Sequence, residues 1–532
     1  MSGLDTKGRP IAALRTALSR TALLAAFFSA GAVNVAHAQP AAIVTPTVGG
    51  DPWTAAGVAK LSGDLDADLA DAPAIRGAHV AVLALDTRSG AVLYARNADD
   101  EFQPASTLKL LVGSAALERL GPAFRFRTEV DVSRSMSARS SDALDSIVLV
   151  AGGDPFLTMA DLRDAAARAA ARGIMRVRGV LIDDSHFDTA PYPAGWVWDD
   201  FGQDYAPHIS AVALEENLVH LTVSPGSAVG GRAYVAAGPA VNVGMFYEGC
   251  LAERATAIAV VPLATTGRTS AASTIDVGIL PGGCLAVTGT IPLGSNPQSI
   301  DGAAYDPVVY AERAFSLTLH DAGIVPGTVT VVTGGIDDAV RWTPVPGLQP
   351  QPIWSHESDP LGMFLGPRFW IPSDNFVGEM LLRQLGFAAA GKPGTTDKGL
   401  AYERAWLGSI GVDPQTTTLA DGSGLSQYDR ITPRDLVAIL QHDWNGPNRQ
   451  LVLNSLPVGG ARGTIEGIAG TPAAGRAFAK TGSMSHVRGL AGYLATQRHG
   501  AVTFAFNVDD WNGDYAALAA LRARVLSRIV SD

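Results

Sequence analysis

The strongest constraint in this sequence is a change of pattern that begins near Phe124 and ends near Trp342. Within that stretch, short β-like runs such as SIVLVAGGDP, VRGVLIDDSHF, LVHLTVSPGS and RAYVAAGP are broken by glycines. One helix-like segment, Met159–Arg172, interrupts them. A second, Asp306–Ala322, comes late and is followed by the strand-like Gly327–Val332. The stretch reads as one or two β-rich domains. A chain of 532 residues exceeds one ordinary domain, and its composition, 47% hydrophobic and 17% charged, is that of a soluble globular protein.

The flanks read differently. A helix is expected near Thr54–Leu69. Residues 79–97 form two apolar runs around Thr87-Arg88-Ser89-Gly90, which predicts a β-hairpin. Ser106 is a good N-cap type for a helix that carries Leu110, Leu111, Ala115, Leu117 and Leu120 and stops at Gly121-Pro122. Beyond the middle region, helices are expected at Asp359–Leu365, Asn375–Leu385 and Pro433–Gln441. Strands follow at Arg476–Thr481, Arg488–Ala495 and Val502–Asn507. A last helix runs from Tyr515 to Val530, with Tyr515, Leu518, Leu521, Val525 and Ile529 on one face, suited to packing on a sheet.

Residues 1–38 read as an export signal. Lys7, Arg9, Arg15 and Arg20 precede an uncharged segment, residues 21–38, that ends in Ala36-His37-Ala38, which places cleavage before Gln39. The apolar core, Thr21–Val33, is too short for a bilayer span, which needs about 20 residues. The remaining chain carries 36 basic and 50 acidic residues, a net charge of −14. That balance argues against nucleic acid and against tight docking on an anionic membrane. The two cysteines, Cys250 and Cys284, show no CxxC spacing. In an oxidising compartment they suit one disulfide, the alternative being two separate buried thiols.

Three short motifs carry chemistry: Ser106-Thr107-Leu108-Lys109 (S-x-x-K), Ser373-Asp374-Asn375 (S-D-N) and Lys480-Thr481-Gly482 (K-T-G). Each alone is commonplace. Together, in this order, they are the signature set of penicillin-binding proteins and class A β-lactamases. A serine hydroxyl needs a base to become a nucleophile, and residues three apart on a helix share a face, so Lys109 can reach Ser106. Lys109 acts as a base only when neutral; burial and a second cation, Lys480 across the cleft, would both lower its pKa. The Ser373 hydroxyl suits proton relay. The Asn375 amide suits a substrate peptide bond. Lys480 and Thr481 suit a terminal carboxylate. Gly482 leaves room on an edge strand for substrate backbone. The main-chain N–H groups of Ser106 and Ser483 would form the oxyanion hole.

The interval of 263 residues between Lys109 and Ser373 is far longer than in class A β-lactamases. It resembles the class C low-molecular-mass penicillin-binding proteins, the D-Ala-D-Ala carboxypeptidase/endopeptidases of the penicillin-binding protein 4 type. These carry a large insertion at that point. Further blocks are similar to the family: Ala151-Gly152-Gly153-Asp154-Pro155, IDDSHF (182–187), PAGWVWDD (193–200), SAVALEENLVHL (210–221), DGSGLS (421–426) and KTGSMSHVRGLAGYL (480–494). The resemblance implies a penicillin-binding/β-lactamase-like transpeptidase fold of the α+β (α/β) kind. Its five-stranded antiparallel sheet would have helices on both faces, with residues 39–130 and 346–532 forming the catalytic domain and 131–345 a β-rich insertion of two subdomains. It implies Ser106 as nucleophile, Lys109 as base, Ser373 and Asn375 in the second motif, and Lys480 on the substrate carboxylate. An aspartate and an aromatic of the insertion read the substrate side chain in this family. Asp183 and Phe187 are the expected pair, against a plain reading as a strand-end turn and a core ring. Gln427, where a basic residue is frequent, and Ser485, where glutamine is frequent, depart from the family pattern and leave recognition of diaminopimelate open. Gly366-Pro367 is a further departure.

The expected partners are peptidoglycan stem peptides and, as covalent inhibitors, β-lactams. The expected location is the periplasm, with no membrane span left after signal cleavage. No cofactor or metal is expected, since the ten histidines are scattered and no H-E-x-x-H is present. His486 reads as a surface-loop residue. Two other activities compete with the serine DD-peptidase: a β-lactamase, against which the long insertion argues, and a binder of penicillin or peptidoglycan that turns over poorly, against which the three intact motifs argue.

Overall fold

The computed structural model describes residues 41–70, 72–133, 144–238, 241–243, 258–280, 283–326, 351–465 and 467–532. The expected export signal, Cys250 and the expected strand at Gly327–Val332 lie outside the described residues. Cys284 is disulfide-bonded and buried.

The two ends of the chain build one sheet. Its strands run in the order Ala477–Met484, Val487–Ala495, Ala501–Asp509, His79–Asp86, Val92–Arg96, and every neighbouring pair is antiparallel. Because side chains alternate along a strand, this sheet has two apolar faces. Val82, Leu490, Leu494, Phe504 and Phe506 point to one side and pack with Leu61, Leu65, Leu518, Leu521, Val525 and Ile529. These come from the helices Ala55–Ala70 and Tyr515–Ser531. Leu83, Ala491, Tyr493 and Ala505 point to the other side. They meet the helices Lys109–Arg119, Asn375–Ala390 and Pro433–Asn445. With both faces covered, the strands need no polar alternation, and this explains their nearly continuous apolar character. Such a two-sided α+β sheet is the expected fold.

The middle of the chain builds a second five-stranded sheet, ordered Val325–Pro326, Arg176–Asp183, Leu144–Ala151, Arg127–Ser133, Gln351–Glu357. It is mixed: Leu144–Ala151 runs parallel to Arg176–Asp183 and antiparallel to Arg127–Ser133. The helices Met159–Ala171 and Pro307–Asp321 pack on it and on each other. Arg127–Ser133 and Gln351–Glu357 are antiparallel neighbours, so the chain leaves the catalytic sheet and returns to it side by side. Among the described residues of 218–303 lie three smaller sheets of two, three and four strands.

Candidate active site

The K-T-G strand, Ala477–Met484, is an edge of the catalytic sheet. The turn that carries Ser106 lies flat against it. A Cβ on Gly482 would come within 2.6 Å of the Pro104 carbonyl oxygen and 3.0 Å of the Thr107 nitrogen. Gly482 is therefore small to admit the nucleophile's own turn, rather than to admit substrate. Gly489, on the neighbouring strand, faces the same turn.

Ser106 does not cap its helix. Residues Ala105–Leu108 form a 3-10 turn whose N-cap position, Pro104, has no side-chain cap, and the α-helix begins only at Lys109. The Ser106 hydroxyl is engaged by Lys109 Nζ at 2.8 Å instead. Ala105 before it and Ser373 across the cleft hold positive φ angles of 45° and 67°. Backbone strain of this kind persists only where the surroundings impose it, and it clusters at reactive sites.

Lys109 is fully buried. Besides Ser106, its Nζ lies 2.6 Å from Asn375 Oδ1 and 2.6 Å from the Ser423 carbonyl. Both of these oxygens can only accept. A charged Lys109 donates to all three neighbours, whereas a neutral one spends its two hydrogens on the acceptors and turns its lone pair to the Ser106 hydroxyl. Burial pushes the Lys109 ammonium down to about 8, against the opposing pull of Asp421, Asp374 and Glu379. Lys480 is also fully buried; its Nζ donates to Ser373 Oγ at 2.8 Å and to the Thr481 carbonyl at 2.9 Å. Burial, then the charge of Lys109, drives Lys480 well below its usual range. Burial lowers Lys109 as expected, and the mutual repulsion of the two lysines falls chiefly on Lys480.

Asn375 was expected to face a substrate amide. Both ends of its side chain are instead used inside the protein, the oxygen on Lys109 and Nδ2 on the Tyr205 carbonyl at 2.8 Å. Asp374 caps the S-D-N helix, accepting from the Val377 N–H at 2.9 Å. Thr481 and Ser483 lie on the K-T-G strand, where Thr481 Oγ1 meets Thr464 Oγ1 at 2.5 Å and Ser483 is exposed.

Asp183 and Phe187 are placed elsewhere. Phe187 is 1% exposed, and its ring packs on Gly153 and Gly394. Asp183 accepts from the Ser185 N–H and hydroxyl and lines a separate cavity of about 260 Å³ with Arg125, Arg127, His186 and Gln384. Gln384 is nine residues past Asn375, roughly 13 Å along the helix. The part of the insertion that meets Asn375 is the loop that carries Asp200 and Tyr205. Tyr205 carries the carbonyl bonded by Asn375, and its hydroxyl donates to Asp200 Oδ1 at 3.0 Å. Trp198 is exposed on the same loop. In sequence the block PAGWVWDD reads only as similar to the family's insertion, while the expected site residues are Asp183 and Phe187; the block's two tryptophans just before Asp200 are the signal that could have pointed here.

The departures also have places. Gln427 Oε1 accepts from Gln103 Nε2 at 3.3 Å. Gly366 lies in a π-helical turn packed on Ser455. His486 occupies the exposed turn after the K-T-G strand, with Nδ1 2.9 Å from the Trp511 carbonyl. Among the described residues, no group of three or more His, Cys, Asp or Glu side chains could hold a metal ion.

A serine bonded by a buried lysine one turn on, faced by a second serine held by an edge-strand lysine, defines a penicillin-recognising serine hydrolase. The family follows from comparison: residues 61–526 match the D-Ala-D-Ala carboxypeptidase 3 (S13) family, and the chain belongs to it. A D-alanyl-D-alanine carboxypeptidase of Actinomadura sp. (strain R39) is 34% identical over 449 residues, 82% of this chain and 78% of that protein. The crystal structure of penicillin-binding protein 4 from Haemophilus influenzae superposes with a TM-score of 0.73 at 22% identity, covering 88% of this chain and 99% of that one. The same protein complexed with a β-lactam superposes at 0.69, with 21% identity and the same coverage.

Proposed function

We propose that this chain hydrolyses the D-alanyl-D-alanine bond of peptidoglycan stem peptides through an acyl-enzyme on Ser106. Neutral Lys109 takes the Ser106 proton as the oxygen attacks the penultimate carbonyl. The Ser106 and Ser483 N–H groups receive the oxyanion. The departing D-alanine amine takes a proton delivered through Ser373 and the lysines, and water then cleaves the ester. The substrate's terminal carboxylate sits by Lys480 and Thr481. It supplies the negative charge that burial denies Lys480, so binding restores the ammonium. β-Lactams acylate the same oxygen.

The observation that carries this reading is the surroundings of Lys109. Two acceptor-only neighbours leave its lone pair only Ser106 to face. The test is mass spectrometry of the purified protein after incubation with penicillin. A covalent adduct is expected on the Ser106 peptide and is lost in Ser106→Ala; an unmodified wild-type protein sinks the reading. Release of D-alanine from a D-Ala-D-Ala peptide then separates a hydrolase from a receptor, and rapid turnover of penicillin would point to a β-lactamase.

Asp200, with Tyr205 and Trp198, suits an amine-bearing substrate side chain. Burial, with a smaller contribution from Asp199, raises the Asp200 carboxyl, and a bound ammonium would relieve that. The exposed rings suit a cation. The chain as a whole works in the periplasm, with residues 1–38 serving as the signal. N-terminal sequencing of exported protein is expected to begin at Gln39. Among the described residues, no helix is long and apolar enough to cross a membrane.

A further inference from the structure

The D-G-S-G-L-S block, residues 421–426, runs beneath the nucleophile. Gly424, at φ 78°, passes so close that a Cβ there would meet the Ala105 carbonyl oxygen at 1.9 Å. The Ser423 carbonyl is one of the two acceptors that orient Lys109. A carbonyl holds such a direction only if its loop is fixed, and the loop is fixed from within by one side chain.

That side chain is Asp421, which is fully buried. Its Oδ1 accepts from the N–H groups of Ser423 at 3.1 Å and Gly424 at 2.6 Å. Its Oδ2 accepts from the Ser426 N–H at 2.7 Å, the Ser423 hydroxyl at 3.0 Å and Trp196 Nε1 at 2.9 Å. These five groups are all donors, an arrangement that suits an ionised carboxylate, and the Asp429 carboxyl, raised by burial and by Asp421, is a further hydrogen-bond neighbour. Trp196 belongs to the insertion, on the loop that also carries Asp200 and Tyr205. Two more bonds join the same parts: Ser426 Oγ donates to the Ala194 carbonyl at 2.8 Å, and the Gln427 N–H donates to the Gly195 carbonyl at 3.1 Å.

The geometry points to Asp421 as a positioning residue for acylation, one that aims the Ser423 carbonyl at Lys109 and clamps the insertion's cleft loop to the catalytic domain. The other acids around it fit this role. Glu379, Glu403 and Asp429 are buried nearby, and burial, followed by neighbouring carboxylates including Asp421, pushes all three up. Asp421 is the acid of this group on which the donors converge. Its pull on Lys109 is the largest of those that oppose burial there.

The inference rests on Ser106 and Lys109 acting as proposed above. Its test is the pH profile of acylation by a fluorescent penicillin, normalised to the folded fraction by active-site titration, in wild type, Ser106→Ala and Asp421→Asn. Asp421→Asn keeps the shape but removes the charge and turns an N–H₂ toward donors. The plateau rate is expected to fall by about tenfold or more. The acid limb, set by Lys109, is expected to move to lower pH by about half a unit or more, because the charge that favoured the ammonium is gone. A merely structural role lowers the active fraction and leaves the limb in place, and that result overturns the inference. An adduct on Ser106→Ala overturns the underlying mechanism instead. Should Asp421→Asn yield no folded protein, Trp196→Phe removes one donor and leaves the charge. A fall of about threefold in peptide hydrolysis is expected, and a wild-type rate overturns the inference.

Discussion

The insertion carries two acid–aromatic pairs, Asp183 with Phe187 and Asp200 with Tyr205, and only the second lies on the loop that meets Asn375. The first pair ends a strand of the mixed sheet. Its acid closes a turn through Ser185, and its ring fills the gap left by two glycines. The second lies on a loop tied to the catalytic domain at Asp421, Gln427 and Asn375. Both pairs touch the catalytic domain, Phe187 through its bridge to Gly394 and Tyr205 through Asn375, so the difference is one of place rather than residue type: the first meets the chain just past the end of the S-D-N helix, and the second meets the start of that helix, beside Lys109.

The sharpest way to break this comparison is to truncate both rings. Phe187→Ala is expected to cost about 3–5 kcal/mol of stability, the usual penalty for emptying a buried aromatic site. Tyr205→Ala, at a position 41% exposed, is expected to change stability by about 1 kcal/mol or less. Urea unfolding of both variants measures the contrast, and equal losses would erase it.

The acids come next. Asp200→Asn is expected to reduce kcat/KM by about 10–100-fold for a D-Ala-D-Ala peptide whose side chain ends in an ammonium, as a hydrogen bond to a charged group would be lost. Acetylating that amine is expected to cancel most of the difference. Asp183→Asn is expected to leave both substrates unaffected. Steady-state kinetics on the two peptides decides, and a loss confined to Asp183→Asn would transfer the role to the first pair.

Much of the frame was legible in the sequence. The hairpin at 79–97, the three C-terminal strands and the last helix follow from apolar period and turn residues, and the motif order located Ser106, Lys109, Ser373 and Lys480. What escaped depends on tertiary packing. The helix Thr396–Ser409 went unread because its buried face mixes Leu400 and Leu407 with Gly399 and Glu403, which blurs the apolar stripe. The partner of Asn375 is a backbone carbonyl some 170 residues away in the chain, and carbonyls have no sequence signature. Gly482 looked like space for substrate because the turn that fills that space is distant in sequence.

A smaller effect separates the wall from the base. With Lys109 held near 8 by burial, its neutral, reactive fraction falls as pH drops. Acylation by penicillin should therefore rise about tenfold from pH 6 to pH 7 and level off above about pH 8. Asp200→Asn should show the same profile as wild type, since Asp200 is not among the groups that act on Lys109. Stopped-flow acylation across this range is the check. A profile displaced by the wall variant would merge two parts of the site that the structure keeps separate.

The smallest expected effect concerns Trp198, whose ring is 67% exposed and meets Phe201 edge-on, with centroids 5.9 Å apart. A cation over an exposed aromatic face contributes about 0.5–1 kcal/mol. Trp198→Ala should therefore lower kcat/KM for the amine-bearing peptide by about two- to fivefold and leave penicillin acylation unchanged. The acetylated peptide supplies the discriminating control. If its rate falls equally, the ring acts by covering the cleft rather than by facing a cation. The recognition in the second pair would then rest on Asp200 and Tyr205 alone.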